Sequence, residues 1–248
     1  MKLFYGDNPD SQVRGKTANL GKIVKTLLLW DIDCTLIDSG GAGERALIHA
    51  LKREFAIEDT LVWLEYFGRT DVWIARAILQ KHFGAASAEN IRRFLDGYLK
   101  ALALEIESPR ARVLPGISSI VAKIAGHHEI AQGLLTGNLR QGAEIKLGHL
   151  GLWPTFQFGA FADDAEQRDE LGPHALRRAN VHCGAAFSPE RVFVIGDTPH
   201  DIACGKAIGA RTIAVATGRY STEQLCSHKP TAVFQNFADT ESFFAALA

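Results

Sequence analysis

Apolar and polar positions divide the chain into two regimes. Between residues 44 and 112 apolar side chains recur at helical spacing: Ala46, Leu47, Ala50, Leu51 and Phe55, then Val72, Ile74, Ala75, Ile78 and Leu79, then Ile91, Phe94, Leu95, Tyr98, Leu99 and Leu102. This period places them on one face of successive helices, and no strand-like run interrupts them. Elsewhere short continuous apolar runs alternate with helical stretches. Strands are predicted at 26–30, 130–135, 156–161, 191–195 and 211–215, with helices at about 117–125, 140–150, 173–183 and 200–208 and a short terminal helix. Runs of this length without polar alternation suit strands buried on both faces, and β-α alternation implies a parallel sheet covered by helices on both sides. The predicted fold class is therefore α/β, a Rossmann-like parallel sheet with an inserted small all-helical cap. Residues 25–43 and 113–248 form the core domain and 44–112 the cap. Gly40, Gly41 and Gly43 make a flexible turn between them, and residues 1–24, which lack sustained periodicity, read as a peripheral extension.

Composition narrows the classes. The chain has 248 residues, 47% of them hydrophobic and 22% charged, as in ordinary globular proteins. A formal net charge of -1 offers no electrostatic attraction to nucleic acid or an acidic membrane surface. No apolar run approaches the ~20 residues of a membrane span, and the first residues lack an apolar segment of signal-peptide length. Cys34, Cys183, Cys204 and Cys226 are scattered without CxxC pairing, which suits a reducing cytoplasm better than a disulfide framework or zinc site.

The chemistry concentrates at strand ends. The first apolar run stops at Asp31 and Asp33, two residues apart and able to share a face. The run 191–195 stops likewise before Asp197 and Asp201, and the strand at 130–135 ends in Thr136, Gly137 and Asn138. In open parallel sheets ligands gather at the carboxyl ends of strands, so the three clusters are expected to meet. DIDCTLIDS resembles the first motif, DxDGT(L/V), of the haloacid dehalogenase-like (HAD) hydrolases; LLTGN resembles the second, and VIGDTPHDI the fourth, GDxxxD. The likeness runs from about Leu27 to Val215 and is closest in character to the phosphoglycolate phosphatase-like members with a helical cap.

A carboxylate nucleophile splits phosphate-ester hydrolysis into two easier displacements. Asp31 is the expected nucleophile and Asp33 the expected acid and base. Anions facing a phosphate dianion need a hard cation, Mg2+ by preference, and Asp31 and Asp197 would ligate it. The resemblance adds the backbone carbonyl of Asp33, with Asp201 a ligand or an anchor. The Thr136 hydroxyl and the amides of Gly137 and Asn138 are expected donors to the phosphoryl oxygens. The family's third motif, a lysine in a KPxP context, is missing; Arg168 is the candidate cation in its place and Lys146 the reserve. Cys34 stands where the family carries glycine. In the cap, Arg69, Thr70 and Trp73 belong to the expected specificity patch, or else Thr70 or Asp71 caps a helix with Trp73 packed inside.

The resulting expectation is a Mg2+-dependent phosphatase of small organic phosphate monoesters working through an aspartyl-phosphate, cytoplasmic, monomeric or homodimeric, with a small phosphorylated metabolite as partner. A phosphomutase of the same fold and a non-catalytic binding protein are the alternatives. A 2-haloacid dehalogenase is disfavoured because that chemistry does not need the metal cluster implied by Asp33 and Asp197.

Overall fold

The computed structural model describes residues 24–248, so the extension predicted for residues 1–24 lies, except for Val24, outside the described residues. Six parallel strands form one sheet in the order β5-β4-β1-β6-β7-β8, namely β1 (Thr26–Trp30), β4 (Ile130–Leu135), β5 (Gly159–Ala160), β6 (Val192–Gly196), β7 (Arg211–Val215) and β8 (Ala232–Phe234). β1 is central, in register with β4 on one side and β6 on the other. Alternation along β1 divides the interior. Leu28 and Trp30 join a core with helices α4 (Ile117–Ala125), α5 (Arg140–His149) and α9 (Thr240–Ala245), whereas Leu27 and Leu29 join one with α6 (Leu171–Cys183) and α7 (Pro199–Ala207). A strand apolar on both sides is thus covered on both sides.

From β1 the chain goes outward to β4 and β5, then crosses back to β6 on the opposite side. This reversal opens a crevice at the carboxyl ends of β1, β4 and β6.

The helical segment consists of α1 (Ala42–Phe55), α2 (Asp71–Phe83) and α3 (Ala88–Glu105), packed around an apolar cluster that includes Leu51, Ile78 and Phe94. Its two crossings to the sheet run side by side. β2 (Ile37–Asp38) and β3 (Arg112–Val113) form an antiparallel pair, closed by an Asp38–Arg112 ion pair at 2.6 Å. The strand predicted at 156–161 is reduced to two residues, Gly159–Ala160, and a helical turn, Trp153–Thr155, precedes it. A short helix, α8 (Thr222–Ser227), and strand β8 follow where only a terminal helix is predicted.

Candidate active site

Asp31 follows β1 and is fixed by its own amide, which donates to the carbonyl of Ile195 at 2.9 Å. The carbonyl of Ile32 accepts the amides of Thr35, Leu36 and Ile37, folding the next residues into a tight turn. This turn directs the Asp33 carboxylate toward the end of β4. There Lys146 Nζ donates at 2.6 Å to Asp33 and at 2.6 Å to the side-chain carbonyl of Asn138, while Asn138 Nδ2 donates to Asp33 at 2.9 Å. Burial would raise the Asp33 carboxyl, but the charge and hydrogen bond of Lys146, with Asn138 and Ser39, hold it below the usual value.

At the end of β6, Asp197 precedes the N-terminus of α7. Thr198 caps that helix in a reciprocal box with Asp201, whose Oδ2 takes the Thr198 amide at 3.1 Å and hydroxyl at 2.6 Å. Asp201 Oδ1 is held by Arg168, which also donates to Asp31 at 2.8 Å and to the carbonyl of Leu135 at 3.2 Å. The guanidinium is buried and spans two carboxylates from different strand ends. Arg168 therefore occupies the middle of the cluster, and Lys146 occupies a separate position beside Asp33.

Oxygens of Asp31, Asp197 and Asp201 lie within 4.8 Å of one another. Burial, followed by the neighbouring acids, pushes Asp197 well above the usual carboxylate range. Burial likewise dominates at Asp31, which rises to about 6 despite the opposing charge of Arg168. Crowded, buried oxygen donors with one guanidinium among them fit a hard divalent cation. Both oxygens of Asp201 are already engaged by protein groups, which fits the anchor role better than direct ligation.

These groups line a cavity of about 240 Å³ between sheet and helices. Gly137 and Asn138 reach it, whereas Thr136 is fully buried behind them with its hydroxyl oxygen accepting from Asn138 Nδ2 at 2.9 Å. Arg69 reaches the cavity and stacks on Trp73 at 4.5 Å, but Thr70 and Trp73 stand outside the lining. Thr70 caps α2, accepting the Trp73 amide at 3.1 Å and donating to the carbonyl of Glu166 at 2.6 Å. Of the expected patch at 66–73, Tyr66, Phe67, Gly68, Arg69 and Asp71 face the cavity, and sequence reasoning passed over Glu44 and Tyr98, which face it as well. Asp71 joins cap to core: its amide donates to the carbonyl of Gly137 and its carboxylate accepts the Leu139 amide, each at 2.7 Å. Helical spacing marked Tyr98 only as core; its dual position could not be read from period alone.

The carboxylates gather at the switch point of a parallel sheet, under inserted helices, in an α/β fold. A family model described as HAD-hydrolase-like matches residues 170–240. "Probable phosphatase IndB" of Dickeya dadantii is 26% identical over 227 residues, covering 87% of this chain and 92% of that protein. "Pyrophosphatase PpaX" of Bacillus pumilus is 29% identical over 107 residues, covering 43% of this chain and 48% of that protein. In fold, the chain is similar to a hydrolase from Pseudomonas syringae (TM-score 0.71, 19% identity, 90% of this chain and 100% of that one). It is also similar to CbbY from Rhodobacter sphaeroides in complex with phosphate (TM-score 0.70, 18% identity, 87% and 96%). The matched model is HAD-hydrolase-like and the curated relatives carry phosphatase and pyrophosphatase names, in line with the resemblance of the three motifs.

Proposed function

We propose that the protein is a Mg2+-dependent phosphatase of small organic phosphate monoesters. The observation that carries this is the meeting of Asp31, Asp33, Asp197, the 137–138 turn and Arg168 at one cavity. The Asp31 carboxylate attacks phosphorus, the bond to the leaving oxygen breaks, and Asp33 protonates that oxygen. Asp33 then takes a proton from water as the water attacks the aspartyl-phosphate, freeing phosphate and regenerating Asp31. The amide of Gly137 would steady the phosphoryl oxygens, joined by that of Asn138 on leaving the Thr136 hydroxyl oxygen to which it donates at 3.3 Å, and Arg168 keeps Asp31 oriented.

Without cation or substrate, the two acids are ordered against this chemistry: Asp31 holds its proton to about pH 6, whereas Asp33 ionises readily. A divalent cation held by Asp31 and Asp197 would favour ionised Asp31 and draw charge from the phosphoryl group. An arriving phosphate dianion acts oppositely on Asp33, favouring its protonated form. The helices α1–α3 serve as a cap that keeps water from the site during the first displacement.

The test is hydrolysis of p-nitrophenyl phosphate and acetyl phosphate with Mg2+, with EDTA, and by Asp31→Asn. Metal-dependent release of phosphate that disappears in the variant supports the reading. Turnover unaffected by EDTA or by Asp31→Asn overturns it.

A further inference from the structure

The cavity over the acids is small and its lining lopsided. Its volume, about 240 Å³, lies below the roughly 300–1,000 Å³ of sites for drug-sized ligands. A phosphoryl group therefore leaves room for about one ring. The lining includes the carboxylates Asp31, Asp33, Asp38, Glu44, Asp71 and Asp197 but only three cations, Arg69, Lys146 and Arg168. Lys146 is neutralised by Asp33 at 2.6 Å, and Arg168 by Asp31 at 2.8 Å and by Asp201. Arg69, stacked on Trp73 at 4.5 Å, is left to face the phosphoryl group in the phosphatase reading. Among the described residues that line the cavity, a second anion on the leaving group would find no further cation and would face Glu44 and Asp71, Arg219 lying over the Phe67 ring at 5.1 Å outside the lining.

The cap wall offers different chemistry. Leu47 and Ile74 are aliphatic, and the rings of Tyr66 and Phe67 stack on each other at 4.7 Å. The Tyr66 phenol is pushed up to about 12 by burial and by its hydrogen bond to Glu44, which fixes it as a neutral donor. Tyr98 is buried at 2% exposure and lines the cavity, close to Asp71, Lys146 and Asp33. A phenol that faces the cavity next to the aliphatic and aromatic cap residues can exchange a hydrogen bond with an uncharged polar substituent.

Building on the phosphatase reading, we infer that the site selects monoesters of small, uncharged, ring-bearing alcohols and rejects esters with a second anionic group. Tyr98 supplies the hydrogen bond to the leaving group, and Glu44 supplies the repulsion.

The experiment has a binding arm and a turnover arm. In the first, calorimetry with Mg2+ compares phenylphosphonate with phosphonoacetate, neither of which can be hydrolysed at the carbon-phosphorus bond by this chemistry. Phenylphosphonate is expected to bind at least tenfold tighter, with Glu44→Gln narrowing the gap by strengthening phosphonoacetate severalfold. Equal or tighter binding of phosphonoacetate, or binding of neither, overturns the inference. In the second arm, phenyl phosphate is expected to exceed phosphoglycolate and pyrophosphate at least tenfold in kcat/KM; the reverse order overturns the inference as well. No turnover of any ester, alongside selective phenylphosphonate binding, removes the phosphatase reading and leaves the selectivity standing.

Discussion

Cys34 has φ 58°, a left-handed conformation that penalises any side chain with a Cβ. The conformation is imposed from outside: its amide donates to Ile37 and its carbonyl accepts the Thr217 hydroxyl at 2.5 Å. Cys34→Gly is expected to stabilise the fold by about 0.5–1 kcal/mol, the relieved strain being partly offset by the freer unfolded chain. A lower melting temperature for the variant would count against strain at this turn. Lys146 predicts the opposite. Replacing it with Met leaves Asp33 and the Asn138 carbonyl without their buried partner, at a cost of about 2–3 kcal/mol, below the full value for a buried pair because Asp33 keeps some solvent contact. Denaturant unfolding of Lys146→Met and Lys146→Arg would check this, and an unchanged midpoint for Met would sink it. Asp31, Asp33 and Asp197 were legible in the sequence because each ends an apolar strand. The assignment of Lys146 to Asp33, 113 positions away, was not, because α5 shows only where its apolar face lies and not which acid its lysine meets.

At the scale of elements, the seam between α2 and the turn after β4 governs access. A Cβ at Gly137 would run into the carbonyl of Arg69 and meet Arg168 Nη1 at 2.8 Å. Gly137→Ala is expected to displace the cap loop, lowering kcat/KM about a hundredfold and folding stability with it, since the atom met is backbone. Steady-state kinetics beside thermal unfolding would test it, and near-wild-type kcat/KM would refute the close approach. The seam was invisible in the sequence because Asp71 acts both at a helix start and as acceptor for a distant amide. The strong elements were legible: β1, β4, β6, β7 and the amphipathic helices follow the apolar pattern closely. The pair β2–β3 was missed because two-residue strands carry no period, and β8 because its three residues are only half-buried.

For the whole molecule, sheet order brings the acids of two adjacent strand ends, β1 and β6, into one cluster, so its charge bears on global stability. Mg2+ at a hundred times its dissociation constant should stabilise the native state by ~2.7 kcal/mol, or roughly 5–10 °C in melting temperature for a chain of this size. Melting with Mg2+ and with EDTA would show it, and coincident curves would argue against a cation at Asp31 and Asp197. The sign with pH follows from Asp31, raised from its ordinary 3.8 to about 6. Its buried charge penalises the metal-free fold as pH climbs through that interval. The cation takes only the ionised form, so its affinity should strengthen up to about pH 6 and then level off as far as this group is concerned. Calorimetry at pH 5 and 7.5 would reveal proton release at the lower value, and pH-independent binding would contradict it. The paired crossings β2 and β3 have a consequence of another kind. Because the chain departs from the sheet and returns through adjacent antiparallel strands, the insertion's two ends lie about one strand spacing apart. Helices can be exchanged, lengthened or recombined between those ends without shifting a residue of the catalytic sheet, so one scaffold can acquire a new substrate by replacing a single cassette.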